Sequence, residues 1–295
     1  MPAASFQKFK PRPLKRSLVG TARFAASLIS EYVTSWSAAA KGRESWQNVE
    51  RYCLFVGYPS SGHSLFGALL DAHREVMLSH ELDALKYVRA HFSRDQLYAL
   101  ITERSKAFIA SGGIWNNYDY LVPGQWQGRF EKLRVIGDKK GGLSALQVRE
   151  DPRLLQRLQS LVKVPLAVIH MTRNPYDVIA TRLKRHREGM DLAWYTDRFF
   201  EHAEGVQIAR EFAGPVRCFD VRHEDVVADT RGKVAQACAF LGVDAPPAYL
   251  DACAAKVFAS PKRTRATAPW TDDLLARVER RISEYDFLRG YTFEA

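Results

Sequence analysis

Five short apolar runs, each followed by a helical pattern or a loop, constrain the fold of this chain more than any other feature. A short, continuously apolar run is typical of a strand buried on both faces of a parallel sheet. Their alternation with helices predicts an α/β fold: an open, mostly parallel sheet of about five strands with helices on both faces. Ligands of such sheets bind beyond the carboxyl ends of the strands. The predicted strands are residues 52–58, 75–80, 132–138, 165–173 and 216–223.

Residues 1–49 precede this alternation and are predicted to form a basic N-terminal extension, whereas residues 50–295 form the main domain. Apolar residues at helical spacing then predict an amphipathic helix. Arg23 and Glu31 interrupt the apolar stretch, which disfavours an export signal. We expect this helix to pack on the main domain or to contact a membrane surface through residues 1–36. The basic residues of the extension's start are Lys8, Lys10, Arg12, Lys15 and Arg16.

The composition limits the partners and the compartment. The 295 residues carry a net charge of +10, which favours an anionic partner such as a nucleic acid, an anionic membrane surface or a small polyanion. No recognisable nucleic-acid-binding motif accompanies the charge, so we expect no nucleic-acid partner. The four cysteines are scattered without a C-x-x-C pair, which predicts reduced thiols and a cytoplasmic protein. No apolar run approaches about 20 residues, so we expect no transmembrane helix.

The loop after the first strand predicts a phosphate site. Residues 57–64 read GYPSSGHS and match the phosphate-loop pattern at Gly57, Gly62 and Ser64, with His63 in place of the usual Lys. Small residues let backbone N–H groups turn inward, and the following helix directs its positive end at an anion. The missing Lys disfavours an ordinary ATPase or kinase. The alternative is a turn that serves packing alone.

The loop after the fourth strand predicts a second anion contact at the same edge of the sheet. Arg173 ends the strand, Asn174 is a fitting helix N-cap, and Pro175 a fitting first helical residue. Asp177 complements the helix dipole, and Thr181 lies about two turns into the helix. Arg173 and Thr181 are therefore candidate ligands of one anion. The alternative is that Arg173 only forms a salt bridge with Asp177.

The two loops together resemble those of sulfotransferases that use 3′-phosphoadenosine-5′-phosphosulfate (PAPS). That family has a P-loop NTPase-like fold, a Y-P-K/R-S-G-T-type loop for the 5′-phosphosulfate, and R-x-P-x-D with a later Ser or Thr for the 3′-phosphate. The resemblance covers residues 50–295 and is nearest to the tyrosylprotein and carbohydrate sulfotransferases, in a bacterial-type member. The matching residues are Tyr58, Pro59, Ser61, Gly62, Arg173, Pro175, Asp177 and Thr181.

The resemblance implies PAPS as the cofactor and adenosine 3′,5′-bisphosphate (PAP) as its product. The chain departs from the family at Ser60, where the family has Lys or Arg, and at His63, where it usually has Thr. His63 or Lys139 is expected to compensate for the missing cation. The implied cofactor-binding residues are Ser60, Ser61, Gly62, His63, Ser64, Arg173, Thr181, Lys262 and Arg263.

The resemblance also implies the catalytic residues Glu81, Lys139 and His63. Glu81 follows the second strand and is the candidate base, with His80 as its rival because imidazole titrates near neutrality. Lys139 ends the third strand and is the candidate cation, although Lys140 is adjacent. Each of these residues could instead be an ordinary surface residue. No metal-ligating constellation appears in the sequence, so we expect no metal.

The expected reaction is sulfuryl transfer from PAPS to a hydroxyl or amine by in-line displacement. The alternatives are a phosphate-loop kinase and a catalytically impaired nucleotide-binding relative. The acceptor is expected to be a small molecule, a carbohydrate or a lipid. The aromatic-rich residues 108–130 either line an acceptor pocket or belong to the core. Their candidate lining residues are Trp115, Tyr118, Tyr120 and Trp126.

Overall fold

The computed structural model describes residues 18–185, 189–258 and 263–294, with side chains from residue 26 onward. The strands in the described residues are β1 (Arg51–Gly57), β2 (Val76–His80), β3 (Ile114–Trp115), β4 (Tyr118–Asp119), β5 (Val135–Lys139), β6 (Leu166–Thr172) and β7 (Cys218–Arg222). The α-helices are α1 (Leu18–Gly42), α2 (His63–Asp71), α3 (Ala84–Arg89), α4 (Arg94–Ala110), α5 (Gly142–Glu150), α6 (Arg153–Val162), α7 (Pro175–Lys184), α8 (Leu192–Ala213), α9 (His223–Ala228), α10 (Thr230–Leu241), α11 (Pro247–Lys256) and α12 (Asp272–Ser283).

The main sheet has five strands in the order β2-β5-β1-β6-β7, and every neighbouring pair is parallel. The predicted α/β fold is therefore confirmed. Each predicted run contains or overlaps one of these strands. Because all five strands run in the same direction, their carboxyl ends lie along one edge of the sheet. The residues that follow them meet there.

Alternate side chains of β1 enter two cores, one on each face of the sheet. Tyr52, Leu54 and Val56 belong to the core formed with helices that include α4, α5, α6 and α8. Cys53 and Phe55 point the other way, into the core formed with α2, α10 and α11. Burial on both faces explains why the run is apolar throughout. The helices predicted on both faces of the sheet are thus confirmed.

Helix α1 packs on the body of the protein, one of the two placements expected from the sequence. The side chain of Gln96 on α4 donates to the Tyr32 carbonyl (3.0 Å) and to Ser35 Oγ (3.1 Å). Lys86 pairs with Glu31 at 3.1 Å. Residues 1–17 lie outside the described residues. No helix in the described part of the chain is long and apolar enough to cross a membrane.

Candidate active site

The loop between β1 and α2 forms a tight turn because its small residues adopt conformations that larger side chains disfavour. Ser60 and Gly62 both have left-handed backbones, with φ of 71° and 94°. A Cβ on Gly57 would lie 2.7 Å from the Met171 carbonyl oxygen on β6, so only glycine allows this approach. α2 begins at His63 and directs the positive end of its dipole at the loop. The predicted phosphate loop thus has the expected position at the carboxyl edge of the sheet.

His63 lies at the base of this loop and faces the ends of β2 and β5. Its ring is buried, with Nδ1 3.2 Å from Ser61 Oγ and Nε2 3.9 Å from Glu81 Oε1. Burial lowers the pKa of His63, although the contact with Glu81 opposes the shift. The imidazole is therefore neutral near pH 7, and its ring connects the loop to the Glu81 carboxylate.

Lys139 and Glu81 meet directly beside the phosphate loop. Lys139 Nζ lies 2.7 Å from Glu81 Oε1 and 2.9 Å from Ser64 Oγ, at the first turn of α2. Lys140 Nζ lies 2.9 Å from the other Glu81 oxygen. Both lysines therefore bind the carboxylate, and Lys139 also reaches the loop. A Cβ on Gly67 would lie 2.8 Å from Lys139 Cγ, so the glycine gives this lysine its path to Ser64.

The electrostatics of the cluster favour an ionised carboxylate. Burial would raise the pKa of Glu81, but His63 and the charge of Lys139 outweigh that effect and lower it. Burial lowers the pKa of Lys139, and the Glu81 carboxylate opposes this shift. Glu81 also has a left-handed backbone, with φ of 64°, which is uncommon for a glutamate. This strained residue lies where His63, Lys139 and Lys140 converge.

His80, the rival base, is held in an aromatic cluster. Its ring stacks on Phe108 with centroids 4.1 Å apart and meets the edge of Trp115 at 5.8 Å. Its Nε2 lies 3.4 Å from Lys139 Nζ. Burial and the charge of Lys139 lower the pKa of His80 to about 3. An imidazole with so low a pKa is a weak base. The pKa of Glu81 is lowered too, so the choice of Glu81 over His80 rests on position: the Glu81 oxygens contact Lys139 and Lys140 beside the phosphate loop.

The second loop contacts the first. Arg173 follows β6 and donates from its guanidinium to the Ser60 carbonyl at 3.3 Å. Asn174 caps α7 by accepting from the Tyr176 N–H at 3.1 Å, as its sequence position predicts. The ends of β1 and β6 therefore present their loops side by side, and Arg173 lies beside the residue at which the chain departs from the family pattern.

The C-terminal segment that begins at Arg263 packs on α7, next to the second loop. The Asp177 carboxylate accepts from the backbone N–H groups of Thr264 (2.7 Å) and Arg265 (2.9 Å), and pairs with the Arg265 guanidinium at 2.7 Å. Thr181 Oγ1 lies 2.8 Å from Thr264 Oγ1. Arg263 is exposed next to Thr264. Lys262 lies outside the described residues. Asp177 thus anchors the segment that carries the predicted basic residues.

Sequence reasoning missed two residues at this edge, His223 and Arg265. A Cβ on Gly62 would lie 2.5 Å from His223 Nδ1, and this buried nitrogen has no hydrogen-bond partner in the described residues. Burial and the charge of Arg173 lower the pKa of His223 to about 4. His223 follows β7 directly, so the rule that ligands bind beyond strand ends could have found it. Arg265 had no comparable signal, because its partner Asp177 is 88 residues away.

The aromatic-rich segment divides between surface and core. It contains the β3–β4 hairpin, in which Trp115 is exposed beside His80. Tyr120 is buried against Phe108, with ring centroids 6.4 Å apart. Trp126 instead packs under Arg129 at 4.9 Å. Trp115 is thus the predicted aromatic residue that is most accessible next to the Lys139 cluster.

No group of three or more His, Cys, Asp or Glu residues in the described residues has the geometry of a metal site.

The model of the family described as "Sulfotransferase family" matches residues 54–247. A comparison with curated proteins finds no match.

The solved structures to which the chain is similar include three sulfotransferases. The sulfotransferase domain of the Synechococcus PCC 7002 olefin synthase is 19% identical, covering 81% of this chain and 96% of that one, with a TM-score of 0.49. STF1 from Mycobacterium tuberculosis H37Rv is 14% identical, covering 85% of this chain and 81% of that one, with a TM-score of 0.50. Mouse SULT7A1, complexed with PAP, is 13% identical, covering 80% of this chain and 84% of that one, with a TM-score of 0.42.

Proposed function

The chain belongs to the sulfotransferase family, and we propose that it transfers a sulfuryl group from PAPS to a hydroxyl or amine of a small-molecule, carbohydrate or lipid acceptor. The observation that carries the proposal is the contact of Lys139 with both Ser64 of the phosphate loop and the Glu81 carboxylate. It brings a cation, a candidate base and an anion-binding loop together at one edge of the sheet, as sulfuryl transfer requires.

The residues at this edge fit an anionic nucleotide. Two buried polar atoms of the described residues, Ser60 Oγ and His223 Nδ1, have no hydrogen-bond partner and belong to or contact the phosphate loop. Buried polar atoms are rarely left unpaired in proteins. The Arg173 guanidinium and the start of α2 add positive charge beside them. We assign the 5′-phosphosulfate to residues 60–64 and the 3′-phosphate to Arg173 and Thr181, with Arg263 beside it. Lys262 stays a prediction from the sequence.

Lys139 replaces the cation that the loop lacks at Ser60. It enters from β5 rather than from the loop, and its Nζ reaches the loop at Ser64, 2.9 Å away. Lys140 holds the second oxygen of Glu81. The two lysines therefore carry positive charge to the place where the sulfuryl oxygens need stabilisation.

Glu81 is the base. When bound, PAPS supplies the sulfuryl group, whose bond to the phosphate oxygen breaks as the bond to the acceptor oxygen or nitrogen forms. Glu81 accepts the acceptor's proton, and the contacts with Lys139 (2.7 Å) and Lys140 (2.9 Å) orient the carboxylate. His63 and Lys139 lower the pKa of Glu81 against the effect of burial, so the carboxylate is ionised before the reaction.

The donor is tested by calorimetric titration with PAP, with ATP plus Mg²⁺ as the comparison. Micromolar or tighter binding of PAP, without a preference for ATP, supports the proposal. Arg173→Ala should weaken PAP binding by about 1.5–3 kcal/mol, the value of a charge-assisted hydrogen bond. The exposed Arg153→Ala is the matched control. Preference for ATP would indicate phosphoryl transfer, and unchanged PAP affinity in Arg173→Ala would contradict the assignment of the second loop.

The base is tested by PAP release from PAPS in the presence of a panel of phenols, alcohols and amines. Glu81→Gln should lower turnover by about 10²–10⁴ and leave PAP affinity nearly unchanged. The exposed Glu103→Gln is the control. An active Glu81→Gln enzyme would eliminate Glu81 as the base. Tight PAP binding without turnover of any acceptor would instead identify a catalytically impaired relative.

A further inference from the structure

Helix α1 has an apolar face that nothing in the described residues covers. Ile29, Val33 and Trp36 are 67%, 65% and 54% exposed, respectively. Their spacing of four and three residues places them on one stripe of the helix. The opposite stripe, with Ser35 and Ala39, is buried against the body. The helix is therefore fixed to the protein by one face and presents a second apolar face to the outside.

The chain that leads into this face is strongly basic. Residues 1–17 contain five Lys or Arg and no acidic residue, and the first acidic residue of the sequence is Glu31. Glu31 is already neutralised by Lys86 at 3.1 Å. In the last turn of α1, Lys41 is exposed and adds positive charge at the other end of the helix. Apolar stripe and positive charge thus belong to one continuous segment.

We propose that the exposed face of α1, formed by Ile29, Val33 and Trp36, docks the protein on the surface of an anionic lipid bilayer. A helix lying in the membrane interface needs an apolar face with an aromatic residue and nearby Lys or Arg, and α1 with its leading segment has each of these. A second copy of this chain is the poorer occupant, because each copy carries the same basic segment and a net charge of +10. Docking uses the face away from α4 and leaves the packing of α1 intact.

The test is co-sedimentation of the full chain with sucrose-loaded vesicles of phosphatidylcholine alone, or of phosphatidylcholine with 30% phosphatidylglycerol. We expect the chain to bind the anionic vesicles. Binding to the neutral vesicles should be at least about tenfold weaker, and high salt should reduce binding to the anionic vesicles to a similar extent. A variant with Ile29→Ser, Val33→Ser and Trp36→Ser should bind the anionic vesicles at least about tenfold more weakly than the wild type. Val216→Ser, at another exposed apolar residue (87% exposed), is the matched control and should bind like the wild type.

The three substituted side chains are exposed, so circular dichroism and thermal unfolding should show an intact fold. Absence of binding to anionic vesicles would overturn the proposal, as would equal binding by the triple variant. A dimer in light scattering that the triple variant converts to a monomer would assign the face to a second copy and would likewise overturn it. None of these readouts depends on PAPS, so they are independent of the proposed function.

Discussion

The ion pair between Lys139 and Glu81 should respond unequally to the loss of its two members. Lys139 is 2% exposed and Glu81 15%, and their charged atoms are 2.7 Å apart. Removal of Lys139 leaves Glu81 bound to Lys140 at 2.9 Å. Removal of the Glu81 charge leaves Lys139 with Ser64 and His80, neither of which is an anion. Glu81→Gln should therefore cost more stability than Lys139→Met.

The magnitude follows from the distance and the burial. At 2.7 Å and an effective dielectric constant of about 20, the attraction is about 6 kcal/mol, much of which the cost of desolvation cancels. Breaking a buried pair by removing one partner typically costs about 3–5 kcal/mol. We expect about 3–4 kcal/mol for Glu81→Gln and about 1–2 kcal/mol for Lys139→Met. The double variant should be more stable than the sum predicts, with a coupling of about 1–3 kcal/mol.

Urea unfolding at pH 7 of the wild type, both single variants and the double variant measures these values. The exposed pair Lys106–Glu103 is the control, with an expected coupling below about 1 kcal/mol. In Glu81→Gln the unpaired Lys139 has a pKa lowered by burial, so the unfolded state binds more protons and stability should rise towards pH 10. Equal costs for both single variants, with strict additivity, would refute the reasoning.

Two further predictions concern the surroundings of the pair. Gly67→Ala should lower turnover, measured as PAP release, about tenfold or more through displacement of Lys139, with PAP affinity retained; unchanged turnover would contradict the role of Gly67. His80→Phe, which retains the stack on Phe108, should reduce the decrease in the free energy of unfolding that accompanies acidification. The folded-state pKa of His80 is about 3, so only the unfolded state gains this proton between about pH 6.5 and 4. Urea unfolding across this range checks it, with the exposed His91→Asn as the control; an equally steep slope in His80→Phe would contradict it.

The local elements were predictable because each depends on a short stretch of sequence. The predicted run 52–58 corresponds to β1 (Arg51–Gly57), and the predicted run 165–173 corresponds to β6 (Leu166–Thr172). Continuous burial produced these signals, since a strand covered on both faces needs apolar residues at every position. The cap at Asn174 was equally predictable, because an N-cap is a contact over two residues. The β3–β4 hairpin was missed, as strands of two residues have no period to detect.

The sequence alone determined the strands, the phosphate loop and the order of the motifs, because chain neighbours form each of these. Only the tertiary structure decided which side chains meet. Strand β5 lies between β2 and β1, which brings Lys139 to Glu81, 58 residues away, and to Ser64, 75 residues away. The packing of the C-terminal segment likewise brings Arg265 to Asp177. Such contacts depend on strand order and crossover packing, which no local pattern encodes.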